Sequence, residues 1–137
     1  MTRPRPTMGG TLALDCEGLA KAVQHDRTVN AWLALARRHD LRVITSAATL
    51  VEVAHPRVNH AALAWTLSRL IVEPVTEPIA RRATTLLSRA GLHGHKHAID
   101  AMFAATVLAT SGRATVLTSD PDDLLALCGD QVTVIKV

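Results

Sequence analysis

Short apolar runs alternate with amphipathic stretches from one end of the chain to the other. Thr11-Leu-Ala-Leu-Asp15 reads as a short buried strand that ends on a carboxylate. Glu17 to Gln24 and Arg27 to Arg38 follow with helical spacing, and Val29, Trp32, Leu33 and Leu35–Ala36 share one apolar face of the second. Leu41-Arg-Val-Ile-Thr45 is a second strand. Ala47 to Ala54 is expected to be a short helix, stopped before Pro56 because the residue preceding a proline avoids the α region. His60 to Leu70 spells another helix, and Leu70–Glu73 a third strand. Glu77 to Ala90 is helical, with Pro78 tolerated in its first turn and Gly91 a fitting stop. His97 to Thr110 puts Ile99, Met102, Phe103 and Val107 on one face, among alanines that allow close packing. Ala114-Thr-Val-Leu-Thr118 is a fourth strand, a short helix starts at Pro121, and Gln131 to Val137 is a fifth strand.

Strands that alternate with helices imply a parallel sheet covered on both faces. The expected fold is therefore α/β, a three-layer α/β/α arrangement around a central parallel five-stranded sheet. No repeat, low-complexity stretch or linker divides the 137 residues. One domain over 11–137 is expected, preceded by a flexible basic tail over 1–10.

Composition narrows the function classes. Apolar residues make up 48% and charged residues 20%, enough to bury a real core. Aromatics are only 2%, which excludes a base-stacking platform of the kind used by single-strand-binding modules. The apolar runs, such as Ala61–Trp65, fall far short of the ~20 residues that span a bilayer. The N-terminal segment lacks the apolar stretch of a signal peptide. Cys16 and Cys128 fit neither a metal pair nor a disulfide framework, so a cytoplasmic protein is expected, with Cys16 a small buried hydrophobe. A net charge of +3 invites a nucleic-acid reading, but without Arg3 and Arg5 it falls to +1. Charge alone decides nothing.

The acids carry more. In open parallel sheets ligands bind beyond the carboxyl ends of the strands, where the strand order reverses. With strands ordered 3-2-1-4-5, Asp15 after strand one and Asp120 after strand four are neighbours there. Asp100 near the start of the helix before strand four, and Glu52 on the helix after strand two, can face the same cleft. Four converging carboxylates repel, and a hard divalent cation such as Mg²⁺ or Mn²⁺ relieves that repulsion. Asp120 has a competing role as N-cap ahead of Pro121-Asp122-Asp123. Glu52, Asp100 and Asp15 each sit among apolar neighbours, where an unpaired acid is costly. One such acid is ordinary; three together favour a site.

Leu-Ala-Leu-Asp15, Glu52 in Thr-Leu-Val-Glu-Val, Ala-Ile-Asp100-Ala-Met-Phe-Ala-Ala and Val-Leu-Thr-Ser-Asp120-Pro-Asp-Asp-Leu resemble the PIN-domain family. The similarity runs from about residue 11 to 137 and is greatest to the small VapC-type toxins of toxin–antitoxin pairs. The resemblance implies a Mg²⁺- or Mn²⁺-dependent endoribonuclease, a homodimer held inactive by a cognate VapB-type antitoxin. It implies Asp15, Glu52, Asp100 and Asp120 as catalytic and metal-binding acids, with Asp123 a further candidate ligand. Three residues before Asp100, where relatives often carry another acid, this chain has His97. That departure supports an alternative, a non-catalytic RNA-binding or protein-interaction member of the same fold.

Several features are weighed beside these. Gly91-Leu-His-Gly-His-Lys-His97 places three histidines at alternate positions, but no fourth ligand stands at a zinc-site spacing. Lys96 and His97, in a loop beside Asp100, are candidates to steer an RNA phosphate, with a solvated loop as the plain alternative. Arg57, with Arg69, Arg81 and Arg82, is placed in a substrate groove or on ordinary surface. Trp32 and Trp65 belong either to the dimer interface or to the core. No Gly-rich loop supports P-loop or dinucleotide binding. Glu17 stands where an aspartyl-phosphatase would carry a second Asp.

Overall fold

A computed structural model describes residues 10–137. The basic tail expected over 1–10 lies outside the described residues except for Gly10, whose carbonyl accepts the Arg42 amide at 3.2 Å.

The five strands are β1 (Thr11–Leu14), β2 (Arg42–Ser46), β3 (Ile71–Glu73), β4 (Ala114–Thr118) and β5 (Thr133–Lys136). All neighbouring pairs are parallel, in the order β3-β2-β1-β4-β5. The helices are α1 (Cys16–Val23), α2 (Arg27–Arg38), α3 (Leu50–Val53), α4 (His60–Leu67), α5 (Glu77–Ala90), α6 (Gly94–Leu108) and α7 (Pro121–Cys128). Single 3₁₀ turns over Ala47–Thr49 and Gly129–Gln131 precede α3 and β5.

Successive strand side chains point to opposite faces, and the two cores follow that alternation. Ala13, Ile44, Ala114 and Val116 face the core built with α5, α6 and α7, where Phe103 is fully enclosed. Leu12, Leu14 and Leu117 face the other, with Leu19, Val29, Val53 and Leu63 from α1 to α4. Both faces are dry, which is why the inner strands read as continuous apolar runs. Enclosing an aromatic the size of Phe103 contributes roughly 2–3 kcal/mol.

Local signals place most boundaries. Thr76 caps α5, Pro78 sits in its first turn, and Gly91 ends it in the left-handed region (φ 68°). The expected fourth helix to Leu70 stops instead at Leu67. There the Ser68 hydroxyl donates to the Trp65 carbonyl at 2.6 Å, one of the local bonds that compete with helix continuation. The last strand is shorter than expected because Gly129–Gln131 forms a turn before it. The expected loop through Lys96 is helical, since α6 begins at Gly94 and bends at His97 (φ −115°, ψ 20°).

Candidate functional site

The chain runs outward from β1 to β2 to β3 and then returns to the far side of β1 with β4. The switch point therefore lies between β1 and β4, paired as Leu14 with Leu117. Asp15 leaves β1 at this point and is 6% exposed. Its carboxylate caps α1 by accepting the Gly18 amide at 2.8 Å. Burial pushes its carboxyl up to about 6, against the lowering effect of the Gly18 amide and the Thr118 hydroxyl, and the charge on Asp100 adds to the rise.

Gly18 is required by close approach. A Cβ there would stand 2.7 Å from the Leu117 carbonyl oxygen, which is backbone and cannot swing away. Gly18→Ala is expected to push α1 off β4 and lower stability by about 1–3 kcal/mol, despite the better helix propensity of alanine. Thermal melting tests it; an unchanged or raised Tm would show that α1 has room to shift.

Asp100 lies on α6, with its side chain 35% exposed. Burial raises its pKa, as do the charges of Asp123, Glu52 and Asp120, while His97 opposes the rise. His97 stands on the turn before it, its Nδ1 3.5 Å from Asp123 Oδ2 and 3.9 Å from Asp100 Oδ2. Asp123 comes from the first turn of α7. The ligand atoms of His97, Asp100 and Asp123 lie within 4.8 Å of one another, the grouping among the described residues suited to one metal ion.

Asp120 makes no side-chain cap on α7, contrary to the capping role considered for it; its amide donates to the Thr118 hydroxyl at 3.0 Å. Its carboxylate is exposed and its charge acts on Asp100. Glu52 is exposed on α3, outside the closest grouping, and also acts on Asp100 through its charge. Its Oε1 accepts the Cys16 thiol at 2.7 Å. Cys16 is thus half-buried and polar in role rather than a buried hydrophobe, and burial together with Glu52 pushes its thiol pKa up.

The other candidates separate. Arg57 lines a cleft of ≈ 660 Å³ with Cys16, Glu17 and Glu52, adjoining the acids. Lys96 is exposed in the opening turns of α6. His93 and His95 are exposed and take no part in the grouping with His97. Arg69 stacks over Trp65 at 5.3 Å, in a larger cleft of ≈ 840 Å³ that holds none of these acids. Arg81 pairs with Glu77 on α5, so the four arginines do not line one groove. The tryptophans also differ: Trp32 packs against the α1–α4 core, whereas Trp65 is 57% exposed.

The donor set fits a divalent cation. Two carboxylates and an imidazole converge, and three further acids add negative charge at the same end of the sheet. Oxygen and nitrogen donors about 2.0–2.2 Å from one ion stand 3–4 Å from one another, close to the separations seen.

A scan against protein-family models and a search of curated proteins both return no match. Solved structures do match. VapBC2 from Rickettsia felis bound to a promoter DNA fragment is similar over 93% of this chain and 98% of that one, with a TM-score of 0.68 and 16% identity. FitAB bound to an IR36 DNA fragment gives 0.59 and 26%, over 91% and 94%. FitAcB from Neisseria gonorrhoeae gives 0.61 and 21%, over 91% and 96%. With this architecture shared nearly end to end, the chain has a PIN-type α/β fold like that of the VapBC and FitAB structures.

Proposed function

We propose that the protein is a divalent-metal-dependent endoribonuclease and the toxin of a type II toxin–antitoxin pair. The convergence of Asp15, Asp100, Asp120 and Asp123 beyond the central strands carries this reading. The similar structures are toxin–antitoxin complexes, which supports an antitoxin as partner. No helix of the described residues is long and apolar enough to cross a membrane, and a cytoplasmic location belongs to the same proposal.

Asp100, Asp123 and Asp15 would hold the ion, with Asp120 and Glu52 at the rim. A bound Mg²⁺ or Mn²⁺ supplies acidification of a water and stabilisation of charge on a phosphate oxygen. Asp15 is kept in place by the Gly18 amide, so its geometry does not depend on a flexible rotamer. Glu52 has one oxygen fixed by Cys16, which leaves the other to take the proton of the attacking water. Arg57, which lines the same cleft as this carboxylate, and Lys96 on α6 present cations to the RNA backbone. In-line attack by water leaves a 3′-hydroxyl and a 5′-phosphate, whereas attack by the ribose 2′-hydroxyl leaves a cyclic phosphate.

Incubating the purified protein with RNA and Mn²⁺, with and without chelator, tests the reading by end-group analysis. Chelator-sensitive cleavage to 5′-phosphate ends is expected. RNA binding without cleavage by the wild type would favour the non-catalytic alternative. The same preparation tests the contacts: Arg57→Glu and Lys96→Glu should each weaken RNA binding and flatten its salt dependence. Unchanged affinity in both would make these residues ordinary surface. The homodimer is the remaining part of the proposal, with exposed Trp65 as its apolar contributor. Light scattering at micromolar concentration checks it, and a clean monomer would remove it.

A further inference from the structure

We propose that His97 is itself a ligand of the cation, so that this site selects a borderline first-row transition ion over Mg²⁺. The inference rests on the reading of the acid cluster as a cation site and concerns which ion that site takes.

The geometry carries it. The imidazole is not on the solvent side of α6 but 13% exposed, with Nδ1 facing two carboxylates from different helices. Its distances to them, 3.5 and 3.9 Å, are too long for hydrogen bonds and near the separation of two ligands sharing one ion. The backbone leaves helical values at His97, and the residue stands three positions before Asp100 with its ring turned toward it. The other two histidines of the segment stay exposed, so the nitrogen donor is a single, placed group.

Ligand chemistry then fixes the preference. Mg²⁺ takes oxygen donors and retains its waters, and an imidazole nitrogen is a poor exchange for a carboxylate oxygen. First-row transition ions bind imidazole well, with affinity rising from Mn²⁺ toward Cu²⁺ and remaining high for Zn²⁺. A His-Asp-Asp set lowers the negative charge offered to Mg²⁺ by one carboxylate and offers the transition ions a better donor. Affinities are therefore expected in the order Zn²⁺ over Mn²⁺ over Mg²⁺. The competing role for His97 is a fixed cation, in which protonated imidazole offsets Asp100 and Asp123 and binds no metal.

Pulsed electron paramagnetic resonance on the whole protein loaded with Mn²⁺ separates these. Wild type is expected to show nitrogen modulation from a directly bound imidazole. The modulation should vanish in His97→Asp, and calorimetry should show the Mn²⁺-to-Mg²⁺ affinity ratio falling by about tenfold in that variant. Mn²⁺ bound without nitrogen modulation in wild type, or no Mn²⁺ bound at all, would overturn the assignment without any variant needing to fold. RNA cleavage is scored separately. Nitrogen ligation without cleavage would leave His97 a ligand and defeat the nuclease reading, and cleavage without nitrogen ligation would do the reverse.

Discussion

Asp100→Asn is expected to lose at least about a hundredfold in RNA cleavage, on the order of 3 kcal/mol of transition-state stabilisation, together with most of the affinity for Mn²⁺. The substitution keeps the size of the side chain and removes its charge. In the wild type that charge is opposed by burial and by Asp123, Glu52 and Asp120, and His97 compensates it only in part. A bound cation would relieve that cost, which is what the proposed site requires. Removing the charge relieves the repulsion, so the variant should also melt higher than wild type in the presence of chelator. Added Mn²⁺ should reverse the order, because wild type alone gains stability by binding. A structural acid behaves oppositely: its replacement lowers Tm with and without metal and leaves metal affinity unchanged. Thermal melts with and without Mn²⁺, beside the cleavage assay, distinguish the two. Retained metal-dependent cleavage in Asp100→Asn would defeat the assigned site.

The elements that local chemistry determines were legible in the chain. The boundaries of β4 and α5 match the sequence reading residue for residue, since a short, mostly apolar run after Gly112-Arg113, a proline in the first turn and a C-terminal glycine leave little choice. The start of α6 was not, because His93 caps it without a side-chain bond and Gly94 is a poor helix former. The order 3-2-1-4-5 enters the sequence reading as the condition that makes Asp15 and Asp120 neighbours, and the sheet has it. Among the candidate acids, Asp15, Glu52 and Asp100 stand out because each interrupts an apolar setting, whereas Asp120 and Asp123 lie in a polar stretch. Their partners could not. The bond from Cys16 to Glu52 joins residues 36 apart, and nothing near either one signals it. The bend in α6 at His97 has no proline to announce it. The missed contribution of Gly18 is a matter of close approach to β4, visible only once α1 and β4 are packed.

Asp15 yields the prediction with the widest pH range. Its carboxyl stands at about 6 in the folded protein, against an ordinary value of 3.8. The folded state therefore binds this proton more tightly than the unfolded chain does. Stability contributed by the protonated form is fully present below pH 3.8 and is lost as pH rises through about 6. Above that, the ionised, buried carboxylate costs the metal-free protein about 3 kcal/mol by the size of the shift. Asp15→Asn removes the titration but keeps the cap, because asparagine accepts the Gly18 amide as well as aspartate does. In chelator, the variant is expected to be more stable than wild type at pH 7.5 by about 2–3 kcal/mol, with the two curves converging toward pH 4. Denaturant melts at a series of pH values measure this directly. With Mn²⁺ the gap should close at neutral pH, because wild type gains about 2.7 kcal/mol at an ion concentration about a hundredfold above Kd and the variant gains little. At roughly a thousandfold excess, where the gain is about 4.1 kcal/mol, the order should invert. A variant less stable than wild type at pH 7.5 in chelator would mean that the Asp15 carboxylate is held by favourable contacts, and that its burial stores no charge for a cation to neutralise.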